Sequence, residues 1–217
     1  MPTVHSLTYR ENCRRCPRIA KNLAFRKTLH PEYHCKPVAA FGDPDAQLLI
    51  VGLAPGLHGA NATGRPFTGD HAGILLYRTL HKFGFSTRPV SEHAGDCLRL
   101  KNCRITNAVK CLPPANKPTV GEIKNCNAYL RNELLALQPD SVVLALGRIA
   151  HDAVLRALGM KLSHCSFTHG KLYRIENRLR LLDSYHCSRY NTQTGRLTRK
   201  QFEAVFSKAV AEMSNHH

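Results

Sequence analysis

Carboxylates are scarce in this 217-residue chain: 15 Asp and Glu stand against 31 Lys and Arg, a formal charge of +16. So large a deficit makes the surface attractive to polyanions, of which nucleic acid is the commonest. Long apolar runs are also missing. None approaches the ~18 residues that a membrane-spanning helix needs, and Met1–Arg10 lacks the apolar centre of a signal peptide. The expectation is a cytoplasmic protein with DNA or RNA, not a membrane, as its partner. There is no internal repeat, no low-complexity tract and no GxxxxGK(S/T) loop, which excludes that phosphate cradle. Hydrophobic residues at 43% and charged residues at 21% are ordinary for a folded globular protein. The length suits one domain over residues 1–217, with residues 1–44 as a loop-rich lead-in that is weakly patterned from Thr28 to Pro44. His216 and His217 are tag-like and are set aside.

Cysteine is the residue present in excess. Nine thiols, an odd number, in a chain with no export signal argue against a disulfide scaffold and for metal ligation. Cys13 and Cys16 form a CxxC, and Cys111 and Cys126 follow with 14 residues between them. Four thiolates suit zinc and iron-sulfur chemistry alike. Cys35, Cys97, Cys103, Cys165 and Cys187 read as ordinary buried or surface thiols.

Apolar runs followed by turn residues occur at Gln47–Leu53, Cys103–Val109, Ser141–Leu146 and Leu179–Leu182, and each predicts a buried strand. Helical patterns lie between and after them, at Gly73–Phe83, Val120–Leu137, Arg148–Leu158 and Arg199–Met213. Thr119 and Glu122 have the spacing of a capping box, and Gly159 stands where a helix should stop. The alternation predicts an α/β protein: a three-layer α/β/α sandwich on a mostly parallel four-stranded sheet, with ligands at the carboxyl ends of the strands.

The chemistry-bearing residues do follow strand ends. Gly52-Leu-Ala-Pro-Gly56 succeeds the first strand and can bring backbone close to a ligand. Gly59-Ala-Asn-Ala-Thr-Gly-Arg-Pro-Phe-Thr-Gly-Asp70 comes next, then Thr106-Asn-Ala-Val-Lys-Cys111 after the second strand, and Ser184-Tyr-His-Cys-Ser-Arg-Tyr-Asn-Thr-Gln-Thr-Gly-Arg-Leu-Thr198 after the fourth. An amide such as that of Asn107 donates and accepts at once, which suits a pyrimidine edge.

In this order the segments resemble the signatures of the uracil-DNA glycosylase superfamily, and most of all its fifth family, the B-type bacterial and archaeal enzymes. The resemblance runs from about Cys13 to the last helix and implies excision of uracil or related deaminated bases from DNA. It implies a [4Fe-4S] cluster on Cys13, Cys16, Cys111 and Cys126. It implies that the ring of Phe67 stacks on a flipped base, that Gly52, Ala54 and Gly56 shape the base pocket, that Asn107 reads the base edge, and that His186 stabilises the departing base. Ser188 would hold a phosphate and Arg189 would enter or flank the groove, with Arg65, Lys110, Arg196 and Arg199 as further phosphate contacts. Ala54 stands where other glycosylases carry an aspartate, so the group that positions water is left among Asn61, Asn107 and Asp70, and Asp70 is equally a helix cap. Cys187 stands where relatives often have an apolar residue or proline. Two other functions fit the same sequence: a metal-stapled DNA binder without catalysis, and a cross-linking sensor of abasic sites. A monomer is the expected state.

Overall fold

The computed structural model describes residues 10–176 and 178–214; the stretch before Arg10 and the tag-like His216 and His217 lie outside them. In chain order the elements are α1 (Pro17–Leu29), β1 (Phe41–Gly42), β2 (Leu48–Gly52), α2 (Ala60–Thr63), α3 (His71–Lys82), β3 (Cys103–Asn107), α4 (Val120–Leu135), β4 (Ser141–Leu146), α5 (Arg148–Ala157), β5 (Leu172–Ile175), β6 (Leu179–Ser184), α6 (Arg189–Gln193) and α7 (Arg199–Ser214). The sheet order is β1-β3-β2-β4-β6-β5. The four predicted strands form its parallel centre.

The expectation of four strands is corrected to six. β1 pairs antiparallel with β3 at one edge, and β5 pairs antiparallel with β6 at the other. β1 is only two residues long and β5 is half-exposed along Leu172–Arg174, so neither makes an apolar run. The lead-in is also more ordered than its pattern suggested, because α1 occupies 13 residues of it. Only Ile19 and Leu23 of that helix are buried, while Phe25 and Leu29 face solvent, so its periodicity is faint. Pro17 at its first position, where the missing N–H costs nothing, starts it.

Alternation along the central strands fills two cores. Leu49, Val51, Val143 and Ala145 pack under α1, α4 and α5, while Leu48, Ile50, Val142, Leu144 and Leu146 pack under α3 and α7. All are essentially removed from water, each large aliphatic side chain contributing about 1.5–3 kcal/mol. The three-layer sandwich follows. The capping box at α4 is formed, with Glu122 N donating to Thr119 Oγ1 at 3.2 Å and Thr119 N donating to Glu122 Oε2 at 2.7 Å. Glu122 also takes Arg18 Nη2 at 2.6 Å, docking α1 on α4. Gly159, at φ +75°, ends α5 as expected. Among the described residues no helix is long and apolar enough to cross a membrane.

Candidate active site

The parallel register sets Gly52 of β2 directly beside Asn107 of β3, at the carboxyl end of the sheet. A Cβ on Gly52 would lie 2.7 Å from Phe67 Cζ and closer still to Asn107 Oδ1. Only glycine lets that ring and that amide meet above the strand. Phe67 holds φ +54°, an outlying conformation for a bulky residue that marks a site under constraint. Its ring is 5.9 Å from that of His186 at an interplanar angle of 28°. One pocket is lined by Ala54, Gly56, Phe67, Asp70, Asn107, Asn116, His186 and Ser188, together with Leu53, Pro55, Ala60 and Ala72.

His186 follows β6, and burial lowers its pKa to about 4, so the imidazole is neutral near pH 7. Its loop is fastened from behind: Asn191 Nδ2 donates to the His186 carbonyl at 2.8 Å, and Ser188 Oγ accepts from Asn191 N at 3.4 Å as the cap of α6. Asp70 combines both of its expected places. Oδ1 accepts from Gly73 N at 3.0 Å as the cap of α3, while Oδ2 faces Gly56 and Gly59. Burial raises its pKa, and the backbone hydrogen bonds from Gly73 and Ala72 oppose that rise. Arg189 is exposed and lines an adjoining groove with Gly69, Asp70, His71 and Ile74.

Residues 39–210 match the profile of the Uracil DNA glycosylase superfamily. The chain belongs to that superfamily. It is 47% identical to the Type-5 uracil-DNA glycosylase of Thermus thermophilus over 91% of this chain and 92% of that one. To the Type-5 uracil-DNA glycosylase of Pyrobaculum aerophilum it is 41% identical, over 93% and 89%. A Type-4 uracil-DNA glycosylase from Archaeoglobus fulgidus is 31% identical, over 79% of each chain.

Several residues of this superfamily member lie elsewhere than expected. Asn61 is fully buried beneath the pocket, where its Nδ2 donates to Cys35 Sγ at 3.4 Å and to the Leu57 carbonyl at 3.5 Å, so it buttresses the turn and does not line the pocket. Arg65 is buried against Asp96 at 2.6 Å and lies 4.5 Å from the Phe41 ring centre. Lys110 is buried against Glu133 at 2.8 Å and hydrogen-bonds Thr106. Neither is placed for a phosphate; burial charges are paired because an isolated one costs too much. Arg196 lies 4.6 Å from the Tyr185 ring centre, and Arg199 pairs with Glu203 at 2.7 Å. The sequence reading missed Asn116 and Asn191. The run Pro113-Pro-Ala-Asn-Lys-Pro118 is a visible turn signal, but nothing in it says that the turn reaches the pocket.

The four selected thiols share a second cavity with Ile19, Leu23, Val109 and Tyr129. Lys110 N donates to Cys126 Sγ at 3.3 Å, Tyr129 Oη to Cys13 Sγ at 3.5 Å and Asn125 Nδ2 to Cys16 Sγ at 3.7 Å. Burial, reinforced by the neighbouring thiols, pushes Cys126 up to about 11 and raises Cys111 and Cys16. Among the described residues no three His, Cys, Asp or Glu side chains converge tightly enough to ligate a single ion.

Proposed function

We propose that this base-excision glycosylase hydrolyses the N-glycosidic bond of uracil in DNA and leaves an abasic site. The observation that carries the reading is the convergence of Phe67, Asn107, Asp70 and a neutral His186 on one pocket at the sheet's carboxyl end. A stacked base cannot be reached in a duplex, so it is flipped into that pocket, where the face of Phe67 supports it and Asn107 pairs with its edge. As the bond from C1′ to the ring nitrogen breaks, negative charge grows on the base and positive charge on the sugar. The N–H of His186 stabilises the first; a neutral donor suits a developing anion and needs no proton transfer. Asp70 holds the water whose oxygen bonds to C1′ and accepts its proton. Its carboxylate stands in for the aspartate absent at Ala54. Ser188 and Arg189, on the loop beyond His186, grip the flanking phosphate and groove.

Cys13, Cys16, Cys111 and Cys126 would hold a [4Fe-4S] cluster, which ties α1 to α4 and the end of β3 and plays no part in bond cleavage. The donor set fits: four sulfurs ring one cavity, and three of them already accept hydrogen bonds. The enzyme acts as a monomer in the cytoplasm.

Incubation with a uracil-bearing oligonucleotide decides between catalysis and binding. Free uracil and an alkali-labile site are expected at multiple turnovers. Tight binding without base release supports the non-catalytic DNA binder, and a covalent adduct on an abasic strand supports the cross-linking sensor.

A further inference from the structure

Behind His186 lies a buried pair that the reaction above leaves unused. His151, early in α5, and Asp183, on β6, are both fully buried. His151 Nδ1 is 2.7 Å from Asp183 Oδ1, and Nε2 is 2.9 Å from the Cys165 carbonyl oxygen. A carbonyl only accepts, so Nε2 bears a proton. Asp183 Oδ2 accepts from Thr168 N at 3.1 Å, and the short contact on its other oxygen shares one proton between Nδ1 and Oδ1. An acid–base pair held in a dry core is a costly arrangement, and its stability alone does not explain it.

The contacts around the pair all lead to one place. Gly170 N donates to the Asp183 carbonyl at 2.8 Å, and Asp183 N donates to the Lys171 carbonyl at 3.0 Å, laying the Cys165–Lys171 segment along β6. Tyr185 N then donates to His169 Nδ1 at 3.1 Å, and the two rings stack at 4.8 Å with 3° between their planes. Gly147 N, at the start of α5, donates to the Ser184 carbonyl at 2.8 Å. The open side of Gly147 faces His186, whose Cβ would be 3.6 Å from an added methyl group. The start of α5, the Cys165–Lys171 segment and the end of β6 therefore meet around the backbone that carries His186.

We propose that His151 and Asp183 are positioning residues that seat His186, acting through Thr168, His169 and the backbone of Tyr185. The proposal rests on the role given to His186 above. A hydrogen-bonded pair shared by three segments fixes their relative placement more sharply than apolar packing, and a displacement of about 1 Å at a reacting group can cost on the order of 10² in rate.

Removing either partner leaves the other without its hydrogen bond in the core, so the decisive variants are at His169, which is half-buried. His169→Ala deprives Tyr185 N of its acceptor, and His169→Asn supplies an oxygen in its place. We expect His169→Ala to lower the single-turnover rate about tenfold at unchanged DNA affinity, and His169→Asn to restore most of it. Ring ¹H–¹⁵N signals of His186 in the DNA-free protein should move in His169→Ala and return in His169→Asn. The folded fraction of His151→Gln should lose rate further and move the same signals. Parent-like rates and His186 signals in His169→Ala and His151→Gln, with only a lower Tm, would overturn the proposal and leave the pair as a stabilising contact. If His186→Ala itself turns over normally, the catalytic reading fails, while the ring signals still decide whether the pair seats His186.

Discussion

His186 has its pKa lowered to about 4 by burial alone, and two consequences follow. With the neutral ring as the donor of the proposed function, catalysis should be insensitive to this group through neutral pH and decline only as pH approaches 4. The stability it contributes has the opposite boundary: an unfolded chain takes up the proton near 6.5 and the folded one does not, so that contribution is complete above about 6.5 and is lost as pH falls from there toward 4. His186→Ala should lower single-turnover cleavage by about 10² or more with little change in DNA affinity, and should flatten the acid limb of the unfolding curve. Gly52→Ala tests the neighbouring contact: its methyl would drive Phe67 and Asn107 apart, so the rate should drop at least about tenfold while the far-ultraviolet dichroism stays that of the parent. At Gly56, by contrast, an added Cβ would meet only Asp70 Oδ2 at 3.7 Å. There is room for a side chain, and its absence leaves the pocket open on that side. The parent should therefore cut 5-hydroxymethyluracil and hypoxanthine as well as uracil, and Gly56→Tyr should shift the ratio toward uracil; single-turnover rates on the three substrates measure it, and an unchanged ratio would remove Gly56 from specificity. A methyl-sized gap discriminates by only about 1–3 kcal/mol, so the expected shift is ~10–200-fold.

At the scale of elements, Asp70 both caps α3 and faces the pocket, and two substitutions separate the roles. Asp70→Asn keeps an oxygen for Gly73 N and should hold Tm near the parent while cutting turnover sharply. Asp70→Ala loses the cap as well, at a cost of about 1 kcal/mol. Equal activity in Asp70→Asn would return Asp70 to a purely structural place and leave Asn107 to position water. The sequence made the elements around this site legible because the parallel strands are buried on both faces and read as unbroken apolar runs, with loops that begin where those runs stop. The edge strands were not legible. β1 is two residues long and β5 carries an exposed Arg174, so neither has a hydrophobic pattern to detect. α1 was hidden for a related reason: two buried side chains give no stripe, and its docking depends on Arg18 meeting Glu122, 104 residues away. Asn107 and His186 could be named from their places after strands, and Phe67 from the family resemblance, but not the burial of Arg65 and Lys110, whose partners Asp96 and Glu133 are distant in sequence and carry no local signal. Asn61 was misplaced because its motif position says that it follows the pocket loop, not which way its amide turns.

Across the whole molecule, the four-thiol cavity and the surplus of positive charge do separate work. The purified protein should be brown and contain about four iron and four sulfide per chain; stoichiometric zinc without iron would refute the cluster. Cys111→Ser should cost solubility before it alters a catalytic step, because the ring of sulfurs joins α1, the end of β3 and α4. The charge of +16 bears on DNA through fewer side chains than the count implies. Arg65, Lys110 and Arg180 are buried in ion pairs, so they release no counterions when DNA binds. Arg189 is exposed beside the groove that runs past Asp70 and His71, where the proposed function puts a phosphate. The logarithm of affinity should fall linearly with the logarithm of salt concentration, and Arg189→Ala should make that slope shallower by about one. Lys110→Ala supplies the contrast: leaving Glu133 without its cation should lower stability by about 3–5 kcal/mol yet keep the salt slope of the folded protein unchanged. Fluorescence titrations of both variants between low and physiological salt make the comparison. A slope unchanged in Arg189→Ala, or reduced in Lys110→Ala, would mean that the DNA path crosses a different face of the sandwich.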